Sequence, residues 1–139
     1  MPACNFKARF ARKVATGEKR TTIRQGQRFK VGDRFMGYIG MRTKSCLRLV
    51  TGKVVHADVL GIDRDEVIEV NETRLLAGAA TALALGDGFL SRKEFVAFFA
   101  ETYGLPFVGQ LVQWEPDGRS FEESKKLHAA LNKALGGTA

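Results

Sequence analysis

The sequence contains the polar and β-branched segment Gly17-Glu18-Lys19-Arg20-Thr21-Thr22-Ile23-Arg24, and Val31-Gly32-Asp33 follows it after six intervening residues. Just before it, Phe6, Phe10 and Val14 recur every four residues, which predicts one face of a short helix that ends near the first glycine. The β-branched residues at the centre of the stretch predict a short strand. The Val-Gly-Asp segment predicts a turn that leads into a second strand.

Beyond this stretch, short strand patterns alternate with well-marked helix starts. Two Ser-x-x-Glu segments, at 91–94 and 120–123, predict capping boxes, each of which opens a helix. The other predicted elements are strands over 34–39, 47–59, 67–70 and 110–114, and a segment over 75–85 that suits either helix or strand. Short strands interrupted by a few helices predict an α+β fold with a small β-barrel as its core.

The size and composition of the chain predict one globular domain. The 139 residues are 45% hydrophobic and 27% charged, and no repeat is evident. We predict a single domain over 1–139, with 119–136 as a C-terminal helical extension. The most apolar run, 75–85, is about half the length that a bilayer needs, no secretory signal is visible, and Cys4 and Cys46 are expected to be free thiols. These features predict a cytoplasmic protein without a membrane partner, with a monomer favoured.

Positive charge is concentrated in the first third of the chain. Residues 1–53 contain fourteen Lys and Arg side chains and two acidic ones, whereas residues 54–139 contain eight basic and thirteen acidic side chains. The net charge of +7 therefore conceals a strongly basic N-terminal part. Such a surface attracts phosphates, so nucleic acid or a nucleotide is the expected partner. The alternative is a solvated basic face without a ligand.

Among the reactive side chains, those of segment 17–24 stand out. If Thr22 and Arg24 are extended, their side chains share one face of a strand, which places a hydroxyl beside a cation. Such a hydroxyl is either an activated nucleophile or a phosphate anchor; the simpler alternative is a helix end followed by a polar edge strand. His56 and His128 are isolated from other metal-ligating residues, and no phosphate-binding glycine loop is present, so no metal site and no cofactor is predicted.

Segment 17–24 resembles the signature of the ASCH domain family, in which a G-x-K-x-x-T-x-R segment precedes a V-G-D turn. Further matches follow in order and spacing. They are Asp87-Gly88-Phe89, the Phe-rich segment 95–103 and Val112-Gln113-Trp114, while 40–46 resembles a variant in bacterial and phage members. The resemblance implies a small PUA-like β-barrel whose flanking helices pack around a basic cleft.

The resemblance also implies a set of site residues. Some family members are amidohydrolases that remove the acetyl group from N(4)-acetylcytidine with a Lys, a Thr and a Glu. By position these correspond to Lys19, Thr22 and, with a shift of one residue, Asp87. Asp is one methylene shorter than Glu, so its carboxylate is expected to sit about 1 Å further back, enough to impair catalysis. In such an enzyme Lys19 is the base, Thr22 the nucleophile and Asp87 the acid.

The same residues also support binding without catalysis. Lys19 and Arg24 could hold phosphate, and Asp87 could accept a hydrogen bond from a cytosine amino group. The predicted ligand-binding residues are Arg20, Arg24, Tyr38, Arg42 and Lys44, with Tyr38 either stacked on a base or part of the core. We therefore expect an ASCH-domain protein that binds RNA or a modified nucleoside in a basic cleft. The alternatives are an amidohydrolase of N(4)-acetylcytidine-type nucleosides, a ribonuclease-like activity, and a phage or bacterial interaction module that engages a nucleic-acid complex.

Overall fold

The computed structural model describes residues 3–136, which form seven strands and four helices. The strands are β1 (Ala3–Asn5), β2 (Thr21–Gln25), β3 (Arg34–Ile39), β4 (Leu47–Ile62), β5 (Ile68–Val70), β6 (Thr73–Arg74) and β7 (Phe107–Pro116). The helices are α1 (Ala8–Thr16), α2 (Ala77–Gly86), α3 (Arg92–Tyr103) and α4 (Phe121–Ala134). The predicted mixture of helices and strands is confirmed.

The long strand β4 holds the sheet together. Its first half, from Leu47 to Lys53, pairs with β3, and its second half, from Gly52 to Ile62, pairs with β7; both pairings are antiparallel. The end of β4 also pairs with β5, which in turn pairs with β6. The resulting sheet curls into a half-barrel.

The half-barrel is open between β1 and β2. β1 pairs in parallel with β3, β2 pairs antiparallel with β7, and within residues 3–136 neither has a second partner strand. Arginine side chains reach across to β1 instead. The Arg24 guanidinium donates to the Asn5 carbonyl at 2.9 Å, and that of Arg28 donates to the Ala3 carbonyl at 2.6 Å. They satisfy acceptors that an edge strand would otherwise leave unpaired.

Aromatic side chains fill the inside of the half-barrel. Trp114 of β7 stacks on Phe35 of β3 with ring centroids 4.1 Å apart, and both are fully buried. Phe89, between α2 and α3, packs edge-on against Phe10 of α1 and Phe95 of α3, with centroids 5.3 Å apart in both cases. Aromatic pairs of this geometry add about 0.5–1.5 kcal/mol to the burial of the rings. Phe89 therefore holds the segment between α2 and α3 against α1.

The helix ends follow local signals in the sequence, with one exception. α1 ends at Gly17, whose φ of 83° lies in the left-handed region that glycine adopts without a Cβ penalty. The capping box that opens α4 is complete. At α3 only half of the predicted box forms: Ser91 Oγ accepts from the Glu94 N–H, but the Glu94 side chain pairs with Arg9 of α1.

Other elements differ from the sequence patterns. No pattern predicts β1 or β6, which have only three and two residues. The predicted helix through Phe6 begins after that residue, at Ala8. The segment 47–59, whose weak alternation predicts strands around Gly52, belongs to one continuous strand, β4. The ambiguous segment 75–85 contains a helix, α2, which is apolar on all sides and lacks the periodicity that would have identified it.

Candidate functional site

A pocket of about 150 Å³ lies at the opening between β1 and β2. It is lined by the polar residues Asn5, Lys7, Lys19, Thr22, Arg24, Asp87, Thr102 and Tyr103 and by the apolar residues Phe6, Phe10, Ile23, Phe89 and Phe98. The predicted site residues Lys19, Thr22, Arg24 and Asp87 therefore share one pocket, although Asp87 is 68 positions from Lys19 along the chain.

Lys19 and Asp87 form a buried ion pair in this pocket. Lys19 Nζ donates to Asp87 Oδ1 at 2.7 Å and to the Asp87 backbone carbonyl at 2.6 Å, and the two side chains are 3% and 4% exposed. The ring centroids of Phe6 and Phe10 lie 5.8 and 5.0 Å from the ammonium, which adds a favourable cation–π contact. Because Asp87 is the C-terminal cap of α2, the ammonium also sits at the negative end of that helix.

Burial shifts the pKa of both partners toward their neutral forms. Loss of solvent lowers the pKa of the Lys19 ammonium. The negative charge of Asp87 opposes this decrease, and the positive charge of Arg24 reinforces it. Burial likewise raises the pKa of the Asp87 carboxyl, against the opposing effects of Lys19 and Thr21. The two pKa values approach one another, so moving a proton from the amine to the acid costs less here than in water.

Thr22 and Arg24 share one face of β2, as an extended strand requires. Arg24 Nε donates to Thr22 Oγ1 at 3.0 Å, and the guanidinium carbon lies 5.1 Å from the ring centroid of Phe6. The Thr22 hydroxyl thus accepts from a cation and keeps its own proton to donate. Only 4% of Thr22 is exposed, so a group that reaches this hydroxyl must enter the pocket.

Thr21 is a site residue that the sequence reasoning missed. Its Oγ1 donates to Asp87 Oδ1 at 2.7 Å, so this oxygen accepts from both Thr21 and Lys19. Strand alternation directs Thr21 away from the face that Thr22 shares with Arg24. The only sequence signal that points to Thr21 as a site residue is the pair of adjacent threonines, which places one hydroxyl on each face of the strand.

The carboxylate of Asp87 reaches Lys19 even though an Asp side chain is one methylene shorter than a Glu side chain. The reason is that the backbone itself comes close, as the 2.6 Å bond to the Asp87 carbonyl shows. Gly88 permits this approach: its φ is 96°, and a Cβ there would lie 2.9 Å from a Phe10 ring carbon and 3.3 Å from Lys19 Cδ. The short Asp87 side chain is therefore in direct contact with Lys19.

Four of the five predicted ligand-binding residues do not line this pocket, and Arg20 and Tyr38 are two of them. Arg20 donates to the Gly17 carbonyl at 2.9 Å and pairs with the exposed Glu115. Tyr38 is partly buried, and its hydroxyl contacts Met36 Sδ at 3.7 Å. The residues of β3 that alternate with Met36 and Tyr38 are buried in the core. Met36 and Tyr38 therefore share the outer face of the sheet.

Arg42 and Lys44 lie in the exposed segment that joins β3 to β4. Arg42 lines a second, wider pocket of about 320 Å³ together with Ala3, Asn5 and Met41. Asn5 lines both pockets, so the two are neighbours. Lys44 lines neither of them.

Other kinds of site are not evident in the described part of the chain. Residues 3–136 contain no group of three or more His, Cys, Asp or Glu side chains that could hold a metal ion. Cys4 is buried and Cys46 is exposed, and both are free. Over the same residues, no helix combines the length and apolar character needed to cross a membrane.

Comparison with known proteins identifies no relative. No protein-family model, curated protein or solved structure matches the chain. The assignment of a function therefore depends on the chemistry of the pocket.

Proposed function

We propose that this chain is a PUA-like protein of the ASCH type that binds RNA or a modified nucleoside, with one nucleobase inserted in the pocket. The main support is the buried Lys19–Asp87 pair beside aromatic walls. Removing two charges from water costs several kcal/mol per ion before their attraction is counted. A pair with shifted pKa values inside a pocket is a frequent mark of a functional site.

The size of the pocket suits a single ring. A cavity of about 150 Å³ accommodates a benzene-sized molecule in the core of a well-studied engineered protein. A pyrimidine ring has a similar size, whereas a complete nucleoside is larger and would leave its sugar outside. The aromatic side chains Phe6, Phe10, Phe89 and Phe98 offer the flat apolar surfaces on which a base stacks.

The polar groups of the pocket match the edge of a base. Lys19 Nζ has three protons and directs two of them to Asp87, so one remains for a ring nitrogen or a carbonyl. Asp87 Oδ1 already accepts from Lys19 and Thr21, which leaves Oδ2 to accept from the base. Lys7 and Arg24 add positive charge where the sugar and phosphate of the ligand would lie.

Filling the pocket should weaken nucleoside binding while the fold is retained. Thr102 is exposed and lines the pocket, so Thr102→Trp places an indole in the opening. We expect binding of cytidine, uridine, N(4)-acetylcytidine and a short single-stranded RNA to weaken about tenfold or more, equivalent to about 1.4 kcal/mol. Isothermal titration calorimetry measures each affinity.

The matched control is Glu101→Trp, because Glu101 is exposed on the same helix and does not line the pocket. This variant should bind the same ligands as tightly as the wild type. If the wild type binds none of these ligands, or if both tryptophan variants lose the same affinity, the base-binding proposal is wrong.

The pKa shifts of Lys19 and Asp87 favour a second candidate, the deacylation of a nucleoside such as N(4)-acetylcytidine. A neutral Lys19 amine accepts the proton of Thr22 as Thr22 Oγ1 attacks the acyl carbon, and a protonated Asp87 donates to the leaving amino group. Water then hydrolyses the acyl ester on Thr22 and releases the acid. Arg24 Nε lies 3.0 Å from Thr22 Oγ1 and favours the negative charge on this oxygen as its proton leaves.

If deacylation occurs, Thr22→Val should lower acetate release from N(4)-acetylcytidine at least about 100-fold, because the nucleophile is lost while the shape is kept. Thr21→Val removes the neighbouring hydroxyl, which only hydrogen-bonds Asp87, and should retain measurable release. Acetate is measured by a coupled enzymatic assay. Absence of release by the wild type at high enzyme concentration, or equal losses in both variants, would restrict the protein to binding.

A further inference from the structure

Two arginine side chains, those of Arg24 and Arg28, bind the open edge of β1. The Arg24 guanidinium is bound to the Asn5 carbonyl at 2.9 Å, and the Arg28 guanidinium to the Ala3 carbonyl at 2.6 Å. Carbonyls two residues apart on a strand point to the same edge and lie about 6.6 Å apart. The repeat of the strand therefore sets the spacing of the two guanidinium groups.

Within residues 3–136 neither guanidinium forms a salt bridge with a carboxylate, although the charge of Arg24 interacts with that of Asp87, which is itself paired with Lys19. Arg20 and Arg34, in contrast, pair with Glu115 and Asp117. Arg24 and Arg28 are thus held in place by neutral acceptors, and their positive charge remains available to an anionic ligand.

Both groups also retain hydrogen-bond donors. A guanidinium has five N–H donors. Arg24 directs two toward Thr22 Oγ1 and the Asn5 carbonyl. Arg28 donates to the Ala3 carbonyl and lies 3.9 Å from Cys4 Sγ. The remaining donors of each group can form the paired hydrogen bonds that bind a phosphate.

The β1 edge connects the two pockets. Arg24 and Asn5 line the 150 Å³ pocket, and Asn5 also lines the 320 Å³ pocket together with Ala3 and Arg42. A polymeric ligand with one of its units in the 150 Å³ pocket can therefore continue past Arg24 and Arg28 toward Arg42.

We propose that the β1 edge binds the phosphates of a single-stranded nucleic acid, with successive phosphates on Arg24 and Arg28. This inference rests on the proposed function, since a base in the pocket is its starting point, and it identifies the ligand as a strand rather than a free nucleoside. A nucleic-acid strand carries one phosphate per nucleotide, and a guanidinium matches the shape of a phosphate. Stacking in the pocket together with phosphate contacts along a groove is the usual arrangement for single strands.

The same contacts disfavour a peptide strand as the occupant of this edge. A peptide that extends a sheet bonds to the backbone carbonyls and N–H groups of the edge strand. At β1, the carbonyls of Ala3 and Asn5 already accept from arginine side chains. A ligand therefore meets guanidinium groups here before it meets the backbone.

The test compares cytidine with the ribotrinucleotide CCC, and uridine with UUU, over a range of salt concentrations. We expect each trinucleotide to bind at least about tenfold more tightly than its nucleoside at low salt. Each phosphate contact contributes about 0.7 to the slope of log affinity against log salt, so two contacts predict a slope of about −1.4. Arg28→Gln should reduce the magnitude of this slope by about 0.7.

Arg74→Gln is the matched control, because it removes the same charge from an exposed residue of β6, at the opposite end of the strand order. This variant should keep the wild-type slope. Arg28→Lys retains the charge and should keep most of the slope, which separates a charge effect from a structural one. Thermal unfolding of all variants establishes that they are folded.

Each failure has a distinct meaning. If the nucleosides bind but the trinucleotides bind no more tightly, or if Arg28→Gln and Arg74→Gln behave alike, the β1 edge does not bind phosphate and the pocket proposal stands. If neither nucleosides nor trinucleotides bind, both proposals fail. If poly-glutamate displaces CCC as effectively as an oligonucleotide of equal charge, the ligand of the β1 edge is not specifically a nucleic acid.

Discussion

Asp87→Ala should lower the free energy of unfolding by about 3–5 kcal/mol, because it leaves the Lys19 ammonium buried without its counter-charge. Lys19 is only 3% exposed and cannot regain water without leaving the pocket. The variant also removes the acceptor of the Thr21 hydroxyl. Urea or guanidinium denaturation followed by circular dichroism measures the loss.

Two controls isolate the cause of this loss. Glu115→Ala breaks the exposed pair with Arg20 and should cost no more than about 1 kcal/mol. Lys19→Met combined with Asp87→Ala leaves no buried charge and should be more stable than Asp87→Ala alone. Equal losses in Asp87→Ala and Glu115→Ala, or a double variant less stable than the single one, would contradict the buried ion pair.

Gly52→Ala should destabilise the protein by about 3 kcal/mol, at the upper end of the usual cost of overpacking. A Cβ at this position would lie 2.4 Å from the Glu115 carbonyl oxygen and 3.2 Å from Pro116 Cα. Both atoms belong to the β7 backbone, so relief requires the two strands to separate. At Gly52 β4 pairs with both β3 and β7, which makes this separation costly.

Gly61→Ala is the matched control on the same strand. The nearest atom to a Cβ at Gly61 is the Phe107 carbonyl oxygen at 3.8 Å, which is ordinary contact. Alanine also loses less conformational entropy than glycine on folding, so this variant should be unchanged or more stable by about 0.5–1 kcal/mol. Similar losses at both glycines in chemical denaturation would show that the close approach at Gly52 is not the cause.

The sequence predicts those parts of the fold that depend on neighbouring residues. Gly17 ends α1 and Ser91 caps α3 as expected, because each signal acts within one turn of helix. The sequence cannot predict β1, because this strand has only three residues and forms by pairing with β3. It also misses the side-chain partner of Glu94, because Arg9 is 85 positions away.

In the candidate site, too, contacts between residues close in sequence can be predicted, whereas contacts between distant segments cannot. Thr22 and Arg24 share a face because two residues separate them on one strand, so their contact is visible in the sequence. The placement of Asp87 came from a family resemblance, and only the packing of the segment after α2 explains how it reaches Lys19. The contact of Arg28 depends on the Ala3 carbonyl at the edge of β1, which no sequence pattern predicts.

The Lys19–Asp87 contact has a consequence for how this protein could change over evolutionary time. Variants at either position would be depleted in any selection for cellular abundance, with or without a requirement for binding, because the pair holds the end of α2. Arg28 and Thr102 are exposed and would tolerate change in the same selection. Substitutions at the rim of the pocket and along the β1 edge could therefore accumulate while the inner pair stays the same.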